Sequence, residues 1–293
     1  MNAPQSGILA PLPEHAIFME FKLRPSGNAQ SVLSLLEAII VDEKVVIGLG
    51  QGLVSAVGKT INGLRAFPQL SGPGCEVPST QACLWFWLRG KDRGELFHQA
   101  RQFASTFRDH LRVSKITDCY KYRGGLDLSG YEDGTENPIE DDAVSAAIVD
   151  PSVEGIAGSS FVAVQNWLHD FENLDDLSIA ETDDIIGRHQ IDNEEFDEAP
   201  AYAHVKRTAQ ESFDPEAFVV RRSMPWSHSL EGGFMFIAFG ATLNSFEAQL
   251  KRMAGLEDGI IDGLFKFTTP VSGSYFWCPP VDEQGCLNLT SLK

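Results

Sequence analysis

One pattern that occurs twice in this chain limits its fold more than any other feature. An aromatic-rich predicted strand, ACLWFWLRG (82–90), is followed by a short polar loop and a predicted amphipathic helix over residues 95–111. A second such strand, GGFMFIAFG (232–240), is followed in the same way by a predicted helix over residues 245–255. Both strands end in glycine, and the two glycines are 150 positions apart. We interpret this offset as duplication of an α+β unit, with chance similarity of two strand–helix pairs as the alternative.

The duplication and the chain length together predict two domains. At 293 residues the chain is longer than one hydrophobic core usually serves. Predicted strands over His15–Leu23 and 159–168 are separated by nearly the same offset as the two glycines. We therefore expect an N-terminal domain over residues 1–150 and a C-terminal domain over residues 151–293.

The charge and cysteine content exclude several classes of function. A formal net charge of −18 argues against a nucleic-acid partner, which requires clustered Lys and Arg, and against an anionic membrane surface. No apolar run is long enough for a transmembrane helix, and the N-terminus shows no export signal, so we expect a cytoplasmic protein. The five cysteines form no CxxC pair, a pattern typical of reduced structural thiols and not of a zinc site.

GYEDGTENP (130–138) combines glycines, acidic residues and an Asn-Pro pair near the middle of the chain. As a calcium loop beginning at Asp133 it has glycine second and proline sixth, so it fails the EF-hand pattern. The Asp-Gly and Asn-Pro pairs favour a simple turn. Glycines on both sides of Asp133 would also let the backbone approach a large flat ligand closely, which keeps a functional interpretation open.

Two further segments contain candidate functional residues. His204, in AHVKRT, stands apart from the other histidines, although a lone histidine is more often structural than a ligand. The adjacent arginines Arg221 and Arg222, in VVRRSMPW, are unusual in so acidic a chain, which makes them candidates for a functional role. The alternative is a surface arginine pair that forms ion pairs with nearby carboxylates. Motifs for zinc hydrolases, phosphate-binding loops and serine hydrolases are absent from the sequence.

The acidic segment over residues 169–200 shows little periodicity. We interpret it as a solvated surface excursion, with an ordered functional insertion as the alternative. The histidines His169, His189 and His228 are expected to lie in loops and to be solvated.

Together these segments resemble the dye-decolourising peroxidases, in particular their compact bacterial, B-type-like branch. The family's Gly-x-x-Asp-Gly motif is found at residues 130–134, and the resemblance extends over nearly the whole chain through IIGRHQIDNEE, AHVKRT, RRSMPW, GGFMFIAFG and FTTPVSGSYFWCP. It implies an α+β fold of two tandem ferredoxin-like domains, in agreement with the duplication. It also implies one haem b per chain and a homo-oligomer.

The resemblance assigns roles to individual residues. His204 would be the proximal iron ligand, Asp133 the distal carboxylate and Arg221 the distal arginine, preferred to Arg222 because the family's arginine stands three places before the Met-Pro pair. Some relatives have Asn where this chain has the shorter Ser223. The remaining assignments are Gly134 beside the cofactor, Asp262 as acceptor of the second imidazole proton, with Glu257 and Asp258 as competitors, and Arg188 as partner of a haem propionate.

The implied function is a peroxidase that uses hydrogen peroxide to oxidise dyes, phenolics or other one-electron donors. Asp133 would move a proton during peroxide cleavage, and Arg221 would stabilise the developing negative charge. Because a carboxylate base has a reference pKa of about 4, we expect the highest activity under acidic conditions. A haem-handling or iron-releasing protein and a non-catalytic acidic module are the alternatives.

Two subsidiary hypotheses concern electron transfer and the C-terminus. Bulky dyes need a route for electrons from a closed pocket, and five aromatic residues lie near the motifs: Tyr131, Tyr202, Trp226, Tyr275 and Trp277. The C-terminal GCLNLTSLK is similar to peptides that load some of these peroxidases into encapsulin shells, with ordinary packing against the last strand as the alternative.

Overall fold

Twelve strands and eight α-helices make up the fold, in a computed structural model that describes residues 3–293. In the N-terminal half they are β1 (His15–Leu23), α1 (Ala29–Glu37), β2 (Val45–Leu49), α2 (Gln51–Ala56), β3 (Leu70–Ser71), β4 (Glu76–Val77), β5 (Leu84–Gly90), α3 (Arg93–Phe107), β6 (Leu111–Tyr120) and α4 (Glu140–Ala147). The C-terminal half contains β7 (Ser160–His169), α5 (Phe171–Asp176), α6 (Ile179–Ile186), α7 (His204–Thr208), β8 (Val220–Arg221), β9 (Met224–His228), β10 (Glu231–Gly240), α8 (Asn244–Met253), β11 (Thr268–Pro270) and β12 (Ser274–Cys278).

The N-terminal half forms a four-stranded antiparallel sheet with the order β2-β5-β1-β6. Strand β1 lies at its centre, with His15 opposite Gly90 of β5 on one side and Tyr120 of β6 on the other. Helix α1 connects β1 to β2, and α3 connects β5 to β6. This strand–helix–strand, strand–helix–strand succession with the first strand central is the ferredoxin-like arrangement.

The C-terminal half repeats this arrangement, but two of its four strand positions are each occupied by two short strands. Strand β7 pairs with β10 on one side, and with β12 and β11 end to end on the other. Strand β10 in turn pairs with β8 and β9 end to end, and α8 leads from β10 towards β11. The position of each strand matches its counterpart in the first half, so the predicted α+β fold of two ferredoxin-like units is confirmed.

The two units join edge to edge, and their strands close into a ring. Trp277 of β12 pairs with Leu49 of β2, and Cys119 of β6 pairs with Trp226 of β9. Alternate side chains from both units fill the inside of the ring with the following buried apolar residues: Phe18, Trp85, Trp87, Val162, Val164, Met235, Ile237, Phe239 and Phe276. Because this interior is shared, the domain boundary near residue 150, between α4 and β7, stays a prediction.

Aromatic stacking inside the ring ties the halves together. Trp85 stacks on Phe276 with ring centroids 5.8 Å apart, and Trp87 stacks on Phe239 at 6.1 Å. Each pair takes one ring from each unit. Such pairs stabilise a fold by about 0.5–1.5 kcal/mol beyond the burial of their area.

The outer face of the ring is covered differently in the two units. In the first unit α1 and α3 pack over it with Leu33, Leu36 and Phe107. In the second, the connection between the first two strand positions is the long segment 170–219. On that face of β7, Phe161 and Ala163 belong to the outer core, and Gln165, Trp167 and His169 line a cavity under this segment.

Several predicted elements have different boundaries or faces in the structure. The helix predicted over 95–111 is observed as α3, Arg93–Phe107. The Asp92 side chain caps its N-terminus by accepting a hydrogen bond from Glu95 N. Within α3, Phe97 is 55% exposed, whereas its neighbour Leu96 is buried. Strand β6, which was not predicted, follows within a few residues.

The acidic segment is ordered, which corrects the expectation of a solvated excursion. It contains α5 and α6, and α6 begins with a capping box formed by Ser178 and Glu181. Asp183, on α6, is buried. His169 was expected to be a solvated loop residue, but it is the last residue of β7 and is buried.

The two ends of the described chain pack on the body of the protein. Leu287, Leu289 and Leu292 of the C-terminal tail are buried in the core that lies outside the ring. No helix between residues 3 and 293 is both long and apolar enough to cross a bilayer.

Candidate active site

A cavity lies between the outer face of the second unit and the segment over residues 122–138. It encloses about 860 Å³ of empty space, part of which opens to solvent. Its wall is mostly apolar, with a few polar groups. Trp167, Ile186, Phe234, Phe236, Phe246, Leu250, Met253, Leu264 and Phe267 form the apolar part, and Asp127, Asp133, His169, His204, Gln249 and Arg221 are among the polar residues.

One wall carries His204, the first residue of α7. Its Nδ1 lies 2.8 Å from Oδ2 of Asp262, which is fully buried. The other oxygen of Asp262 accepts a hydrogen bond from Leu264 N at 2.8 Å. A carboxylate held in this way keeps the imidazole proton on Nδ1 and leaves Nε2 as a free acceptor. Within the described chain no protein group bonds to Nε2, so it is available to a metal atom.

The two acids that could have competed with Asp262 are engaged elsewhere. Glu257 accepts from Arg252 at 2.8 Å, and Asp258 accepts two bonds of 2.8 Å from Arg207. The hydrogen bonds to Arg207 lower the pKa of Asp258 to about 2.

The cavity wall also carries Asp133 and Arg221. Arg221 ends β8, and its Nε lies 3.3 Å from Oδ1 of Asp133. The orientation does not make a hydrogen bond, so this buried Nε–H remains without an acceptor in the protein. The neighbouring Arg222 bonds to the carbonyls of Leu9, Ala10 and Arg221 and does not line the cavity. A carboxylate and a guanidinium with an unused donor therefore share the cavity with His204.

Asn137 links the loop that carries Asp133 to the strand that carries Arg221. Its Oδ1 accepts from Arg221 N at 2.7 Å, and its Nδ2 donates to Arg221 O at 3.0 Å. Gly134 has φ +86°, and a Cβ there would lie 2.6 Å from Asn137 Nδ2. The glycine is thus required both for the turn and for room beside the Asn137 amide.

Besides Asp262, which is bonded to His204, three predicted site residues lie outside the cavity wall. Arg188 donates to Glu136 and Glu195 at 2.7 and 2.6 Å. Ser223 is buried, and its hydroxyl accepts from Ile237 N at 3.3 Å. Gly134 does not contribute to the wall either. Their predicted roles beside a cofactor remain predictions.

The sequence did not point to a second histidine, His169, that lines the cavity. Its Nε2 lies 2.9 and 3.1 Å from the two oxygens of Asp127, and its Nδ1 lies 2.8 Å from Thr268 Oγ1. Burial raises the pKa of Asp127, but the hydrogen bonds and charge of His169 and the hydrogen bonds of Ser129 outweigh it and hold the pKa below its ordinary value. The signal that could have found His169 is its place at the end of an alternating strand.

Metal binding here would depend on a cofactor and not on a cluster of side chains. Among residues 3–293 no group of three His, Cys, Asp or Glu side chains converges as a metal site. His204 can therefore supply one ligand, and the remaining ligands of a metal at Nε2 would have to come from a group that fills the apolar cavity.

Comparison with known proteins decides the family. A family model described as "Dyp-type peroxidase, C-terminal" matches residues 125–283, more than half of the chain. A Dye-decolorizing peroxidase of Mycobacterium tuberculosis is 30% identical over 294 residues, which cover 94% of this chain and 88% of that protein. The chain belongs to the Dyp-type peroxidase family.

Solved structures of Dyp-type peroxidases share the fold. A variant of Rhodococcus jostii RHA1 DypB in complex with haem has a TM-score of 0.88 and 26% identity, and covers 98% of this chain and 99% of its own. A dye-decolorizing protein from Vibrio cholerae has a TM-score of 0.84 and 27% identity, with 96% and 97% covered. The resemblance inferred from the sequence is therefore confirmed at the level of family and fold.

Proposed function

We propose that this Dyp-type peroxidase binds haem b in the cavity and uses hydrogen peroxide to oxidise dyes, phenolics or other one-electron donors. The observation that carries the proposal is the meeting of three groups in one apolar cavity. These are an imidazole with a free Nε2, a carboxylate and a guanidinium with an unused donor. The DypB variant solved with haem supports the choice of cofactor.

The wall of the cavity suits a large flat apolar group with a metal centre. Its aromatic and aliphatic side chains would exclude water from such a group, and His204 Nε2 would bind the iron. The haem iron supplies the redox chemistry when it is bound. Gly134, Arg188 and Ser223 are proposed to support the cofactor from outside the wall.

On the His204 side, the protein controls the electron density of the iron ligand. Asp262 accepts the Nδ1 proton at 2.8 Å and is itself fixed by Leu264 N. A strong acceptor at Nδ1 makes Nε2 more basic, which favours the higher oxidation states of a bound metal.

Asp133 and Arg221, which lie together in the cavity wall, would share the work of cleaving peroxide. The Asp133 carboxylate would take the proton from one peroxide oxygen and return it to the other, which leaves as water. The Arg221 guanidinium, permanently charged, would stabilise the negative charge that develops on the departing oxygen. Its unused Nε–H is a donor for that purpose.

Rapid mixing of the haem-loaded protein with hydrogen peroxide tests these roles. We expect Arg221→Leu to lower the second-order rate constant of the absorbance change by about 10²–10³, and Asp133→Asn by about 10²–10⁴. Arg93→Leu is the matched control, because Arg93 also pairs with an aspartate but lies on the surface, 70% exposed. Wild-type rates in both site variants would refute the proposed mechanism. Loss of iron without peroxide turnover in the wild type would favour a haem-handling protein.

We also propose a cytoplasmic homo-oligomer with domains over 1–150 and 151–293. The domain bounds rest on the duplicated pattern and the chain length, and the location and oligomeric state rest on the family resemblance. The encapsulin-cargo role of the tail has the same basis, and the burial of its leucines supports the packing alternative. Analytical ultracentrifugation of the purified protein tests the oligomeric state, and a monomer at micromolar concentration would contradict it.

A further inference from the structure

The loop that carries Asp133 begins with a tight turn organised by Asp127. The backbone N–H of Asp127 donates to Tyr131 O at 2.8 Å, and Gly130 N donates to Asp127 O at 2.9 Å. The Asp127 side chain accepts from Ser129 N at 3.0 Å and from the Ser129 hydroxyl. The position of Asp127 thus fixes the path of the chain into Glu132 and Asp133.

His169 meets this turn from the end of β7. Its side chain is only 3% exposed, and Nε2 faces the Asp127 carboxylate. The other ring nitrogen, Nδ1, lies 2.8 Å from the Thr268 hydroxyl, which also lies 3.2 Å from Leu168 O. The Asp127 carboxylate can only accept, so His169 Nε2–H donates to it. The contact is therefore a buried hydrogen bond to a carboxylate.

The loop is fastened on both sides of Asp133 to one sheet. Before Asp133, the His169–Asp127 pair ties the loop to β7; after it, Asn137 ties the loop to β8 at Arg221. Both strands pair with β10, through Leu168 opposite Gly233 and Arg221 opposite Ala238. The sheet therefore sets the distance between the two attachments.

We infer that the His169–Asp127 hydrogen bond is a positioning contact, which holds the loop so that the Asp133 carboxylate lies beside the Arg221 guanidinium in the cavity wall. The inference rests on the proposed function of Asp133. His169 acts through the loop and does not itself take part in the chemistry. A misplacement of about 1 Å in a reacting group can lower a rate about a hundredfold, so a loosened attachment should have a large effect.

A double-variant cycle on peroxide reactivity tests the inference. Asp127→Asn keeps the size of the side chain but removes its charge, and we expect it to lower the second-order rate constant on the order of ten- to a hundredfold. In the Asp133→Asn background, Asp127→Asn should lower the second-order rate constant by less than about twofold, because the carboxylate that Asp127 positions is already absent. If Asp127→Asn does not fold, His169→Gln, which keeps a donor for Asp127, replaces it in the cycle.

Hydrogen exchange of the cofactor-free protein gives a measurement independent of activity. Amides of residues 127–133 should exchange roughly tenfold faster in Asp127→Asn, while those of His15–Leu23 should not change. Asp118→Asn, which breaks the surface pair with Arg93, is the matched control and should alter neither rate nor exchange.

The outcomes separate the two proposals. Additive effects in the cycle, or unchanged exchange over residues 127–133, would overturn the positioning role and leave the proposed function standing. Wild-type peroxide reactivity in Asp133→Asn alone would instead overturn the proposed role of Asp133, on which the cycle depends.

Discussion

Asn137 shows how a single side chain can connect two parts of the candidate site. Its amide satisfies both the N–H and the C=O of Arg221, as a neighbouring strand would. Because Asn137 belongs to the same turn as Asp133 and Gly134, the turn and the arginine strand are held in register. The residues of GYEDGTENP thus have separate tasks within one short segment.

Gly134→Ala should disturb this connection. The φ of +86° is strained for any other residue, and the new Cβ would lie 2.6 Å from the Asn137 amide. We expect a loss of about 1–2 kcal/mol in the free energy of unfolding, with slower reaction with peroxide. Gly155→Ala is the control, because Gly155 has φ +83° with nothing within 4 Å of a Cβ. Equal losses in urea unfolding for the two variants would show that the contact with Asn137 is unimportant.

Asp262→Asn should change the basicity of the proposed iron ligand, His204, without changing the fold around the cavity. The neutral amide is a weaker acceptor for His204 Nδ1, so Nε2 becomes less basic. We expect the reduction potential of the haem-loaded protein to rise, as measured by spectroelectrochemical titration. Glu257→Gln, on the same segment but paired with Arg252, should leave the potential unchanged. A potential unaffected by Asp262→Asn would contradict the role of Asp262.

Helix α7 is only five residues long, so its own hydrogen bonds cannot hold His204 in place. Arg207, one turn after His204, is 6% exposed and anchors the helix by a two-bond pair with Asp258 and a bond to Arg252 O at 2.8 Å. Thr208 adds a bond from its hydroxyl to His204 O. The Arg207 side chain thus fixes the helix to the last turn of α8 and to the segment after it.

Asp258→Asn should weaken this anchor in a pH-dependent way. The pKa of Asp258 is lowered from 3.8 to about 2 in the folded protein, so the ionised form stabilises the fold fully above pH 3.8. That stabilisation is lost as the pH falls through about 2. We expect the variant to be less stable by about 1 kcal/mol at pH 7, as for a half-exposed ion pair. Measured by urea unfolding, the difference in the free energy of unfolding between the variant and wild type should shrink below pH 4. A difference that stays constant with pH would refute the stabilising role of ionised Asp258.

At the level of elements, strands were predicted better than helix faces. β1, β5, β7 and β10 were expected close to their observed places because they are apolar runs bounded by turn residues. β6 was missed because LRVSKITDCY does not alternate cleanly: Thr117 is buried while its neighbour Ile116 is 52% exposed, and the strand begins soon after a helix. Leu96 and Phe97 are both apolar, and only the packing of α3 on the sheet decides which is buried.

The whole molecule is closed by contacts between units that are distant in sequence. The tail lies against the first unit, where Val41 N donates to Gly285 O at 2.8 Å and Lys293 pairs with Glu37 at 2.8 Å. Its three leucines extend the outer core. The C-terminus therefore contributes to the N-terminal half.

Deletion of residues 287–293 should destabilise the protein. Each buried leucine contributes up to about 1.5–3 kcal/mol, so we expect a clear fall in the melting temperature. Ser291→Ala, which removes only a surface hydroxyl contact with Gly155 O, is the control. An unchanged melting temperature on deletion would support the cargo hypothesis for the tail.

Tyr275 is fully buried, lies between Phe246 of the cavity wall and the partly exposed Arg65, and is our candidate for electron transfer. Its ring lies 6.0 Å from that of Phe246 in the cavity wall, and Arg65, partly exposed, lies over its other side. Burial and the charge of Glu247 raise its pKa. We expect a tyrosyl radical by electron paramagnetic resonance after peroxide treatment, with at least half of the signal lost in Tyr275→Phe. Absence of any Tyr or Trp radical would exclude the relay.

The sequence by itself determined the duplicated α+β plan, the family resemblance and the candidates Asp133, His204 and Arg221. The duplicated plan follows from local patterns, because periodicity and turn chemistry depend on neighbouring residues. The three candidates were chosen through the family resemblance, since the residues alone left a turn, a structural histidine and a surface arginine pair open as alternatives. Only the tertiary structure decided that the two units close into one ring and that Asp262 is the acid bonded to His204. It alone joined Asp127 to His169, since a contact between a turn and a distant strand depends on how β7 and the loop pack together.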